Sequence, residues 1–137
     1  MEESTIIDLI FELQKKCSLE NDKFIEKLGI SQAEYNMFIC LKNCKHFNSY
    51  SVAEKMSLSL SRVSRIIEKM VNKGFLNRTT NKEDRRAIDI KMTKKGESIL
   101  QSIIVFLQER EDYIENQLND ADISKIKSSF NKLIDLV

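Results

Sequence analysis

Residues 49–96 read SYSVAEKMSLSLSRVSRIIEKMVNKGFLNRTTNKEDRRAIDIKMTKKG, and their hydrophobic period changes partway along. From Ser59 onward, Val63, Ile66, Ile67, Met70 and Val71 recur at i, i+3, i+4, i+7 and i+8, the spacing of one buried helix face. The Ser59 hydroxyl stands where it can cap the free amides of that helix. Gly74 follows its end, where a left-handed backbone closes a helix without a side-chain clash. The spacing predicts a helix over 59–73. From Phe75 the period falls to two: residues 75–79 and 87–92 alternate as strands do, and the polar residues 80–86 form a long hairpin tip. Upstream, 49–56 reads as a short helix with Val52, Ala53 and Met56 inward, ending within two residues of the next start.

Two short helices joined by a tight turn present the second helix to the major groove of DNA. The outward residues of the second helix are Ser59, Ser61, Arg62, Ser64, Arg65 and Lys69, with Arg62, Arg65 and Lys69 at i, i+3 and i+7 on one face. Arginine pairs in bidentate fashion with guanine O6 and N7, while serine hydroxyls and helix N-terminal amides hold phosphate oxygens. The hairpin adds Arg78, Lys82, Arg85 and Arg86, cations on a projecting loop that suit the negative potential of a narrow minor groove. Asp84 reads as an orienting acid for Arg86 or for a helix arginine, against the alternative of a plain turn-forming aspartate.

The run from Ser51 to Arg78, followed by E-D-R-R-A-I-D-I-K-M-T-K-K-G, resembles the helix-turn-helix and wing of the MarR family of transcriptional regulators, including its D-x-R wing motif at Asp84 and Arg86. That resemblance implies a mainly α fold with a small β-hairpin wing: a winged helix-turn-helix lobe over 31–96, and dimerisation helices over 1–30 and 97–137 of a single domain. It further implies a homodimer that sets two lobes on successive major grooves of double-stranded DNA, regulating transcription as a repressor. Many relatives release DNA when a small, often aromatic and anionic ligand enters a cleft, for which Tyr35, Phe38 and Phe47 are candidate lining residues, with plain core packing as the alternative.

The flanks agree with this organisation. Thr5 with Asp8 and Ser31 with Glu34 are capping-box pairs, a hydroxyl three residues ahead of an acid. The first helix either runs from Thr5 to Leu28, with Ile6, Ile10, Leu13, Cys17, Phe24 and Leu28 near one stripe, or breaks at 18–22. The second carries Tyr35, Phe38 and Ile39 inward up to about Asn43. Thr93 and Gly96 mark the start of a long fifth helix, and Asn119 with Asp122 caps a sixth. Ile7, Phe11, Ile104, Phe106 and Leu136 lie beyond a single stripe, more apolar surface than one small lobe buries, so a second copy is a physically reasonable cover.

A chain of 137 residues with 42% hydrophobic and 31% charged residues fits one globular domain. The absence of proline and the presence of three glycines favour helices. The net charge of +1 conceals an asymmetry: 59–95 holds eleven Lys and Arg against four acids, leaving the remainder net acidic. A basic block in an acidic protein marks one surface built to meet a polyanion.

No apolar run has the length of a membrane span and the N-terminus is acidic, so a cytoplasmic protein without a membrane partner is expected. Cys17, Cys40 and Cys44 read as reduced thiols. A redox-sensing regulator using Cys40 and Cys44 is one alternative, and a winged-helix protein-interaction module is another. Cys40, Cys44 and His46 lack the spacing and the fourth ligand of a zinc site, so no metal or cofactor is expected. No nucleophile with a neighbouring base and no glycine-rich phosphate loop stands out, which argues against an enzyme.

Overall fold

The computed structural model describes residues 3–42, 47–80, 82–83 and 88–137. The order of elements is α1 (Ile6–Leu28), α2 (Gln32–Leu41), β1 (Phe47–Asn48), α3 (Ser49–Met56), α4 (Leu60–Asn72), β2 (Leu76–Thr80), β3 (Ile88–Met92), α5 (Lys94–Gln117) and α6 (Asp120–Leu136). The chain clusters into two compact units, Met1–Leu100 and Gln101–Val137, with the division falling inside α5.

In the first unit, local chemistry sets the helix ends. Thr5 Oγ1 accepts from the Asp8 amide while the Asp8 carboxylate accepts from the Thr5 amide, and Ser31 and Glu34 repeat that reciprocal pair. Gly29 ends α1 with φ 68°, a left-handed turn that costs a Cβ-free residue little. With both ends fixed and no glycine between them, α1 runs unbroken through 18–22, so the interrupted alternative is set aside.

The core of this unit is built where α2, α3 and α4 meet. Met37, Phe38, Leu41, Val52, Val63, Ile67 and Met70 are fully buried, and the rings of Phe38 and Phe75 meet edge to face with centroids 5.5 Å apart. Tyr35, Phe38 and Phe47 belong to this core at 5%, 0% and 7% exposure, so packing accounts for all three. The stripe on α1 behaves differently. Ile6 and Leu13 are exposed, as is Cys17, and Ile25 is the buried residue of that helix.

The hairpin is part of a three-stranded antiparallel sheet of order β1-β3-β2, in which Phe47 pairs with Ile90 and Arg78 lies opposite Ile90 on its other side. The short β1 was not expected from the sequence, because two residues carry no period. The fully buried Ser49 Oγ accepts from the Ile88 amide at 3.0 Å, tying the start of the returning strand to the first turn of α3. Thr93 closes the lobe: its amide donates to Phe75 O, its hydroxyl donates to Gly74 O, and the same hydroxyl accepts from the Gly96 amide at the head of α5.

The second unit comprises the remainder of α5 and α6. Asn119 caps α6 by accepting from the Asp122 amide at 2.8 Å. Lys127 on α6 lies 3.9 Å from Glu111 and 3.8 Å from Glu115 on α5. Tyr113, Ile114, Ile126, Phe130 and Ile134 are exposed.

Candidate nucleic-acid interface

The turn between α3 and α4 is three residues long. Ser57 takes the left-handed conformation, φ 54° and ψ 42°, and its amide donates to carbonyls of the last turn of α3. Ser59 then caps α4, its hydroxyl accepting from the Arg62 amide at 3.2 Å. The two helices therefore meet at a short joint with both ends satisfied, the arrangement that lets the second helix project from the first.

One side of α4 buries Val63, Ile66, Ile67 and Met70. That burial fixes the helix's rotation, and the opposite side carries Ser61, Arg62, Arg65, Glu68 and Lys69, all exposed. Ser64 is half-buried and donates to Leu60 O at 2.9 Å, so its hydroxyl proton is directed at its own helix. Among the described residues, no carboxylate lies within salt-bridge distance of Arg62, Arg65 or Lys69. Three cations are thus brought to one outward face with their charge unneutralised there.

Arg78 is placed differently. It lies on β2, and its guanidinium sits 3.7 Å from the Glu68 carboxylate on α4. Lys82 is exposed on the hairpin. The expected contacts Asp84, Arg85 and Arg86, together with Cys44 and His46, lie outside the described residues. Cys40 is half-buried and lines a groove of about 410 Å³ beside α4, whose lining also includes Lys55 and Arg62. Among the described residues, no group of three or more metal-ligating side chains converges.

Sequence reasoning missed two participants. Glu68 has no role in the sequence beyond being one of the four acids counted in 59–95, and its pairing across to β2 leaves no local signal. Ser49 read as a helix start, whereas its buried hydroxyl also anchors the strand that returns from the hairpin tip.

A model of the MarR family matches residues 30–88, from the end of α1 to the start of β3, which includes the helix-turn-helix and the first strand of the hairpin. Over those residues the chain is similar to the MarR family. Among curated proteins, it is similar to the HTH-type transcriptional regulator BilQ of Clostridioides difficile (strain CD3), at 20% identity over 93% of this chain and 86% of that one. It is also similar to the HTH-type transcriptional repressor MdtR of Bacillus subtilis (strain 168), at 27% identity over 67% of this chain and 59% of MdtR. The match to MdtR therefore spans less than two thirds of that relative. Among solved structures, the S. aureus MepR–DNA complex superposes with a TM-score of 0.83 at 16% identity, covering 98% of this chain and 100% of that one. At that identity the likeness is one of fold: mostly helical with a small antiparallel sheet.

Proposed function

We propose that the protein is a MarR-family transcriptional regulator that binds double-stranded DNA as a homodimer and acts as a repressor. In this reading α4 enters the major groove, where Arg62 and Arg65 meet base edges and Ser59, Ser61 and Lys69 meet phosphates, whereas Ser64, whose proton goes to Leu60 O, is set aside as a contact. The wing over 80–86 enters the flanking minor groove with Lys82, Arg85 and Arg86, oriented by Asp84. The observation that carries the reading is the exposed face of α4, where Arg62, Arg65 and Lys69 stand clear of carboxylates on a helix held by a tight helix-turn-helix joint. Such a face binds polyanions, and arginines at that spacing also read guanine.

The homodimer follows from the family and from the apolar side chains exposed on α1, α5 and α6, where 1–30 and 97–137 serve as dimerisation helices. Among the described residues no helix is long and apolar enough to cross a membrane, and we place the protein in the cytoplasm, acting by binding and not by catalysis. A small-molecule effector is compatible with this reading.

Fluorescence anisotropy with a labelled mixed-sequence duplex, titrated at stepped salt concentrations, tests the proposal. Binding should weaken steeply with salt, and selection from a random duplex pool should return a pseudo-palindrome with half-sites about one helical turn apart. No binding at low salt would refute the reading.

A further inference from the structure

Arg78 begins on the side of the sheet that faces the helices. Its cross-strand partner Ile90 is buried, and so is Phe47, the partner of Ile90 on β1; residues directly opposite in a ladder point to the same face. Its neighbours Asn77 and Thr79 pair with Lys91 and Asp89 and, by the alternation of a strand, point to the other face. Because β2 is an edge strand, the long Arg78 side chain reaches round to α4, and its guanidinium meets Glu68 at 3.7 Å with both side chains about half exposed. Glu68 is the sole acid between Leu60 and Asn72, and it lies within one turn of Arg65 and Lys69.

We propose that Glu68 sets the specificity of the DNA interface by holding Arg78 and withholding its charge from phosphates, which limits sequence-independent binding. The inference rests on the DNA-binding function proposed above. Sequence-independent affinity counts the cations that neutralise phosphates, with each contact contributing a slope of about −0.9 in log K against log salt. A cation held by a carboxylate gains less from a phosphate than a free one, because the first partner must be given up. The pair is weak: an exposed ion pair contributes little to folding. Its effect is therefore expected in binding and not in stability. Base-edge contacts from α4 are untouched by it, so restraining Arg78 lowers non-specific binding without lowering base discrimination.

The test is a double-mutant cycle on the intact protein, with anisotropy of a mixed-sequence duplex read between 50 and 200 mM salt. Glu68→Gln should tighten binding and steepen the salt slope. In the Glu68→Gln background, Arg78→Gln should remove about one phosphate contact, which corresponds to a three- to fourfold change in the salt-induced loss over that range, by about 0.9 in slope. In the wild-type background the same substitution should produce less than half of that change. Equal effects of Arg78→Gln in both backgrounds would overturn the inference while leaving the DNA-binding function intact. Absence of salt-dependent binding by the wild-type protein would overturn the DNA-binding reading itself, and this inference with it.

Discussion

The ammonium of Lys73, at the C-terminal cap of α4, donates to Glu34 Oε1 at 2.6 Å and so joins the end of α4 to the start of α2 across 39 positions of sequence. Glu34 is 2% exposed, and the same oxygen accepts from the Ser31 amide at 2.8 Å. Lys73 also reaches Gly29 O at 3.4 Å, where α1 ends. Burial pushes the Glu34 carboxyl up, but hydrogen bonds from Lys73 and Ser31 outweigh it and hold the group below the ordinary glutamate range. Glu34 Oε2 is buried with no hydrogen-bond partner among the described residues, so the ionised group depends heavily on the donors at Oε1.

Stability should therefore depend on pH through this pair. A carboxyl whose folded pKa is depressed contributes stability that is complete above its unfolded value and is lost as pH falls through the folded one. Urea unfolding between pH 7 and pH 3 should show a smaller acid-side loss for Glu34→Gln than for the wild type, while Asp8, held low by Thr5, keeps its own contribution in both. At pH 7, Lys73→Met should cost about 1.5–3 kcal/mol, the range for a hydrogen bond to a charged group. Identical pH profiles for Glu34→Gln and wild type would refute this account.

Gly96 predicts a second cost. A Cβ there would fall inside van der Waals contact of Phe75 O and 2.7 Å from Met92 Cγ, and Phe75 O is held in place because it accepts from the Thr93 amide. Gly96→Ala should destabilise the lobe by about 1–3 kcal/mol in chemical denaturation, the usual cost of overpacking. An alanine variant as stable as the wild type would show that α5 can shift away from Phe75 at no expense.

These two joints mark where sequence reading stops. Short-range chemistry was legible: the reciprocal pairs at Thr5 and Ser31, the Ser59 cap, Gly29, Gly74 and the five-residue apolar stripe of α4 each act within one or two turns, so spacing reveals them. Both strands were legible to within a residue for the same reason. What was not legible acts across space. Met37 and Leu41 are fully buried although the stripe read for α2 named Tyr35, Phe38 and Ile39, because α2 is covered from more than one direction. The pairs Glu34 with Lys73, Glu68 with Arg78, and Ser49 with Ile88 depend on which elements become neighbours. At the candidate interface, the cationic face of α4 was readable from i, i+3 and i+7 spacing, whereas the restraint on Arg78 was not.

Arginines on the helix and on the wing should fail in different ways. Arg62→Ala or Arg65→Ala should cost about 1–3 kcal/mol on the selected duplex and relax preference at particular base pairs, because a bidentate contact to guanine discriminates by that much. Arg86→Ala, on the wing motif, should weaken binding to every sequence by a similar factor and reduce the salt slope by about one contact. Competition titrations with single-base variants of the selected duplex separate the two patterns. Equal, sequence-blind losses from all three substitutions would refute the division of roles between helix and wing.

The exposed apolar residues should decide assembly. Ile7 and Phe11 lie one turn apart on α1 at 57% and 64% exposure, and Ile126, Phe130 and Ile134 repeat at every fourth position of α6. Covering one large apolar side chain is worth about 1.5–3 kcal/mol, and a two-fold interface counts each residue twice. Phe11→Asp and Phe130→Asp should therefore weaken self-association by at least a hundredfold in sedimentation equilibrium. Neither should change the unfolding of the helix-turn-helix lobe at concentrations where both proteins are monomers, since both side chains are already open to water in the single chain. Because two lobes on one dimer convert the second half-site contact into an intramolecular step worth about 10²–10⁴ in affinity, the same variants should lose affinity for a two-half-site duplex far more than for a single half-site. A variant that stayed dimeric, or a monomer that kept full two-site affinity, would place the assembly surface elsewhere on the chain.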